Sequence, residues 1–133
     1  MPLSFTQIKE TCIYIKDIEL TKQFYHLKLG LPIIGISEGR HIFFRAGKSV
    51  LLCFIAEATR HDDFLPPHFG EGELHFAFET GIDEYENWKE EVKRLDIEIE
   101  KEVTWGKGLK SFYFRDPDNH VVEIVMPGIW DGE

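Results

Sequence analysis

The chain has 133 residues, 43% of them hydrophobic and 14% aromatic, which is the size and composition of one globular domain rather than of a disordered or low-complexity segment. With 24 acidic against 15 basic residues and no Lys or Arg cluster along a helix face, it is not built to hold nucleic acid or an anionic membrane. No apolar run is long enough to cross a bilayer, the start MPLSFTQIKE lacks a signal-peptide pattern, and Cys12 and Cys53 are spaced neither as a metal knuckle nor as a redox pair, so a cytoplasmic protein with free thiols is expected.

In chain order, IKETCIYI (8–15) reads as a strand and Asp17 as an N-cap for a helix over 18–29, with Leu20, Phe24, Leu27 and Leu29 at near-helical spacing. Gly30 and Pro32 stop that helix. Three short strands follow at 31–37, 41–46 and 49–56, separated by turn signals at Glu38-Gly39 and Gly47-Lys48. Residues 57–72 have no periodicity and are rich in Pro, Gly and charge, as a connector is. The pattern then restarts: a strand over 73–79, a helix over 83–95 with Tyr85, Trp88, Val92 and Leu95 on one face, and strands IEIEKEV, KSFYFR and VVEIVM. Between the last two, Asp-Pro-Asp-Asn predicts a hairpin turn in which Asn119 takes the left-handed conformation.

Both halves therefore read βαβββ, and FFRAGKSVLLCF lies over YFRDPDNHVVEI without a gap when residue 43 is set on residue 113. A duplicated half-domain is expected, with module 1 at about 5–57, a connector over 58–72 and module 2 at about 73–127. The expected fold is α+β, two βαβββ modules with mainly antiparallel sheets forming an open cup-shaped barrel, helices outside.

Side chains on a strand alternate between faces, so each polar intruder has a phase. Val122 and Ile124 share one face and Glu123 takes the other; Phe76 and Phe78 share one face and His75 the other; Thr11, Ile13 and Ile15 share one face and Glu10 the other, with Cys12 and Tyr14. Val50, Leu52 and Phe54 read as the packed face of their strand, with Cys53 opposite. The gapless repeat sets Cys53 on Glu123, and Glu10 and His75 hold matching places in their strands. If a pseudo-twofold axis relates the halves, these four side chains converge, and an imidazole with two carboxylates is an N/O site for a divalent cation such as Mn, Ni, Zn or Fe. Plain structural roles stand beside this: Glu123 paired with a Lys or Arg, His75 a hydrogen-bonded core histidine, Cys53 a small buried filler. His41, His61, His68 and His120 are placed in turns or the connector, with His68 also able to cap a pocket.

On ETCIYIKDIELTKQFYHLKLGLP, LHFAF and FYFRDPDNHVVEIV the sequence resembles the vicinal oxygen chelate superfamily, which includes glyoxalase I, fosfomycin- and bleomycin-resistance proteins, methylmalonyl-CoA epimerase and extradiol dioxygenases. The resemblance implies metal ligands at Glu10, His75 and Glu123, with catalytic duty for Glu123 and Glu10. Glu10 stands where the family has His or Gln, which disfavours the two-His, one-carboxylate set of a ring-cleaving dioxygenase. Cys53 stands near a fourth position that is Glu in glyoxalase I. Tyr14, Cys53 and His68 are the expected substrate-pocket residues. The leading expectation is a metal-dependent lyase, isomerase or thiol transferase acting on a small oxygen-bearing substrate, as a homodimer. The rival is a metal-free drug-binding protein of the bleomycin-resistance type, suited by acidity and aromatic content.

Overall fold

A computed structural model describes residues 2–131. The chain divides into one unit over Met1–Gly72 and another over Glu73–Glu133. In the first, β1 (Glu10–Ile15) leads to helix α1 (Ile18–Lys22), which widens into a π-helical segment (Gln23–Lys28). Strands β2 (Ile33–Ser37), β3 (His41–Ala46) and β4 (Ser49–Ile55) follow, and a single turn of helix, α2 (Ala56–Arg60), opens the connector. The sheet order is β1-β4-β3-β2, with β1 parallel to β4 and the other neighbours antiparallel.

Helix α1 starts where Asp17 Oδ1 accepts from the Leu20 amide at 2.9 Å, satisfying a donor that the first turn leaves without a partner. It ends where Gly30 takes φ +82°, a conformation a Cβ would strain. The buried stripe is Thr21, Phe24, Tyr25 and Leu29, not the expected Leu-rich one, and Leu20 and Leu27 are exposed. The aromatic pair takes the packed side, with Tyr25 and Phe44 ring centroids 5.6 Å apart and Phe24 edge-on to Tyr25 at 5.0 Å.

The second unit holds β5 (His75–Glu79), α3 (Ile82–Arg94), β6 (Lys101–Thr104), a 3₁₀ turn (Gly106–Gly108), β7 (Lys110–Arg115) and β8 (Val121–Val125). Its sheet order is β5-β8-β7-β6, with β5 parallel to β8. One face carries Phe112, Phe114, Val122 and Ile124, all buried, with Tyr85 of α3 against Phe112 at 5.4 Å between centroids. Burial of each such side chain is worth about 1.5–3 kcal/mol, so this face fixes the sheet's register. Strand β6 is shorter than expected because Asp96 turns at φ 60° and the Ile97 amide bonds back to the Val92 carbonyl, which leaves Ile97 to the helix end.

The two units repeat the same βαβββ order, but not without a gap. Arg45 pairs with Val50 across the first β-hairpin, whereas Arg115 pairs with Val121 across the second. The second turn is one residue longer, so Phe43 faces Leu52 where Tyr113 faces Glu123. Leu52, not Cys53, therefore holds the place of Glu123. Cys53 is fully buried and pairs with Ile13 and Ile42 on the helix-packed face, opposite the face assigned to it from the sequence. Strand β4 is nearly as buried on one side as on the other, and such a strand has no clear hydrophobic phase.

In the longer turn, Asp116 Oδ1 accepts from the amides of Asp118 and His120 at 3.0 and 2.8 Å, and Asn119 takes φ 67° as expected. His120 is buried rather than solvated, and its Nδ1 accepts from the Leu74 amide at 2.9 Å, tying the turn to the start of β5. His41 is likewise not a turn residue: it opens β3 and stacks on Phe43 at 3.9 Å.

Candidate functional site

The open face of the second sheet gathers the polar residues that its core face excludes. His75 and Ala77 on β5, Glu123 on β8, and Ser111 and Tyr113 on β7 share it by register, since Ala77 and Tyr113 flank Glu123. His75 Nδ1 lies 2.9 Å from the Val121 carbonyl oxygen. A carbonyl only accepts, so Nδ1 carries the hydrogen and the ring turns Nε2 outward. Nε2 stands 3.2 Å from Glu123 Oε1, with the imidazole half-exposed and the carboxylate buried. Two lone-pair bearers at that distance repel unless a proton or a cation lies between them.

Tyr113 faces Glu123 across the β7–β8 pair. Burial pushes its phenol up, the Ser111 hydroxyl pulls it back, and the neighbouring Glu123 carboxyl pushes it up again, so Tyr113 stays protonated. His75, Tyr113 and Glu123 line a cavity of about 680 Å³ whose apolar wall includes Trp105, Leu109, Ile129 and Trp130. Lys107, at the lip, holds a left-handed φ of 62° between two glycines.

Of the expected ligands, the structure brings His75 and Glu123 together on adjacent strands, while Glu10 lies exposed at the start of β1 in the other unit. Among the described residues, no group of three or more His, Cys, Asp or Glu side chains is placed to hold a metal ion. The His75 and Glu123 donors nonetheless fit a divalent cation: one nitrogen with its tautomer fixed from behind and one carboxylate oxygen facing it.

Tyr14 and His68 meet in the first unit, Tyr14 Oη and His68 Nδ1 lying 2.6 Å apart, with Phe54 edge-on to His68 at 4.8 Å. A Cβ on Gly70 would fall 2.6 Å from the Tyr14 ring, so only glycine lets the connector pass there. Burial raises the Tyr14 phenol above its ordinary value. Sequence reasoning missed Tyr113, Ser111 and Trp105. The phase of KSFYFR carried the first two, because Ser111 and Tyr113 alternate with Phe112 and Phe114; Trp105 sits in a turn, where no period applies.

Two mixed four-stranded sheets of this order, each with a helix on one face, match the glyoxalase fold. The chain belongs to the Glyoxalase/Bleomycin resistance protein/Dioxygenase superfamily, which its sequence matches over residues 7–124. Among solved structures it is similar to a lactoylglutathione lyase from Agrobacterium tumefaciens, at 29% identity and TM-score 0.90, covering 96% of this chain and 98% of that one. It also resembles a glyoxalase/bleomycin resistance protein/dioxygenase from Nocardioides, at 20% identity and TM-score 0.75 over 99% of this chain and 89% of that one. An integron cassette protein from the mobile metagenome of V. Cholerae aligns at 21% identity and TM-score 0.74 over 96% of this chain and all, 100%, of that one. Curated proteins give no significant match. No helix among the described residues is long and apolar enough to cross a membrane.

Proposed function

We propose that this chain is a divalent-metal-dependent enzyme of the lyase, isomerase or thiol-transfer type, acting on a small oxygen-bearing substrate. The observation that carries the reading is the His75–Glu123 pair, in which the Val121 carbonyl takes Nδ1–H and Nε2 faces a carboxylate oxygen 3.2 Å away. His75 and Glu123 would hold the metal, with Glu10 as the proposed third ligand. A bound divalent cation would supply Lewis acidity toward two neighbouring substrate oxygens. Glu123 is then the general base for the proton on the carbon beside the substrate carbonyl, with Glu10 as the second candidate. The cavity's apolar wall gives an apolar group of the substrate a place to lie.

The likeness to a lactoylglutathione lyase makes glutathione thiol adducts the first substrates to try. A metal-free binding protein is the competing reading, favoured by the aromatic face of Tyr14, Phe43, Phe54 and His68. Elemental analysis after incubation with Mn, Ni and Zn separates the two. We expect about one equivalent of metal per chain, and less than a tenth of an equivalent would support sequestration instead. A screen of thiol adducts, fosfomycin, catechols and bleomycin then assigns the substrate.

A further inference from the structure

Two consecutive residues at the start of β8 hold both backbone groups of Leu74. The Val121 amide donates to the Leu74 carbonyl at 2.8 Å, and the Leu74 amide donates to His120 Nδ1 at 2.9 Å. If the parallel ladder simply ran on from the His75–Val121 pair, the acceptor for that amide would be the Asn119 carbonyl. Asn119 instead takes its left-handed φ of 67°, and its carbonyl accepts from Arg115 Nη1 at 3.0 Å. The imidazole of His120 therefore stands in for a backbone acceptor. Asp116 holds His120 from both sides, its amide donating to the His120 carbonyl at 3.1 Å and its Oδ1 accepting from the His120 amide at 2.8 Å. Both residues are buried, which keeps solvent away from the accepting nitrogen.

We infer that His120 is a positioning residue for His75: by supplying the first acceptor of the β5–β8 ladder, it fixes where β5 begins and so fixes the tautomer and aim of the next imidazole. His75 follows Leu74 directly, and its Nδ1 hydrogen reaches the Val121 carbonyl at 2.9 Å only while Leu74 and Val121 keep their register. Nε2 then stands 3.2 Å from Glu123 Oε1. Without the His120 acceptor, β5 frays from its first residue, and His75 returns to the mixture of tautomers that a neutral imidazole adopts in water. The consequence for metal binding rests on the proposed function, yet the tautomer of His75 is measurable with no metal present.

The test is the nitrogen-15 NMR spectrum of the imidazoles in metal-free protein, recorded above the ordinary histidine pKa so that the rings are neutral, with the His75 signals assigned by their loss in His75→Gln. Wild type should show His75 in the Nδ1–H form, and the Nε2–H form there overturns the inference. In His120→Ala the His75 signals should move toward the Nε2–H form while the fold, followed by circular dichroism, is retained. His120→Asn also loses the buried ring but keeps an oxygen on Cγ where Nδ1 was, so it should hold His75 as wild type does. His120→Gln carries its oxygen one bond further out and should behave as alanine does; it takes the place of His120→Ala if that variant does not fold. Unchanged His75 signals in the folded alanine or glutamine variant overturn the inference. Equal changes in His120→Asn and His120→Ala also overturn it, since the packing of the ring would then be what matters. Calorimetric titration with Mn²⁺ alone is the second readout. His120→Ala should weaken binding by roughly tenfold, the low end of what loss of support behind a metal ligand costs, and His120→Asn should restore it. Equal Mn²⁺ affinity in His120→Ala and wild type overturns the inference. A wild-type protein that binds no Mn²⁺ overturns the proposed function, and the nitrogen-15 signals still decide the role of His120.

Discussion

At His75 one backbone carbonyl decides what the imidazole can do. Val121 takes the Nδ1 hydrogen, and the nitrogen left over is the one that faces Glu123. A second histidine, His120, does the opposite: its Nδ1 accepts from the Leu74 amide and so holds the residue immediately before His75. His120→Ala should leave that amide without its acceptor and cost about 1–3 kcal/mol, beyond the packing lost from a fully buried ring. A urea melt that gives the variant the wild-type midpoint would refute the assignment. His75 and Glu123 were legible in the sequence because each interrupts a strand whose other face is strongly apolar. His120 was not, because a histidine in a polar turn carries no phase to mark it as buried. Cys53 misled for a related reason: β4 buries residues on both faces, and alternation alone does not say which face meets the helix.

At the scale of elements, the repeat was legible and its register was not, since one extra residue between Arg115 and Val121 moves every later side chain to the other face relative to a gapless alignment. The connector was read as irregular, yet it is pinned to the first sheet at two points. One is the Tyr14–His68 contact, and the other is Asp62, which accepts from Arg40 at 2.7 Å and from the amides of Phe64 and Leu65. The Arg40 guanidinium, followed by those amides, holds the Asp62 carboxyl down from 3.8 to about 2. A depressed carboxyl stabilises the fold fully above its unfolded value and loses that contribution as pH falls toward the folded one. Wild type should therefore exceed Asp62→Asn in stability by a constant margin at neutral pH, and the margin should shrink between about pH 4 and pH 2. Denaturant melts across that range check this, and a margin that does not change with pH would contradict it.

For the whole molecule, the duplicated βαβββ order and its helix-packed cores were readable from hydrophobic period, turn residues and motif alone, while the chemistry of the second unit needed register and hydrogen-bond direction. Leu3, Phe5 and Ile8 are exposed ahead of β1, and so are Ile34 and Ile36 on the outer strand β2. Apolar groups and open sheet edges of this kind favour pairing with a second copy. Sedimentation equilibrium should accordingly give twice the 15.5 kDa chain mass, and the monomer mass at micromolar concentration would argue against a homodimer. The central claim is that His75 and Glu123 hold a divalent cation and that Cys53 has no part in it. Calorimetric titration of His75→Ala and Cys53→Ala with Mn²⁺ and Zn²⁺ tests this most directly. His75→Ala removes the one nitrogen donor and should abolish measurable binding, whereas Cys53→Ala should bind as wild type does and lose only about 1 kcal/mol of stability to a small cavity. Equal loss of binding in the two variants would make Cys53 a ligand, and full retention in His75→Ala would mean that the His75–Glu123 pair is not a metal site.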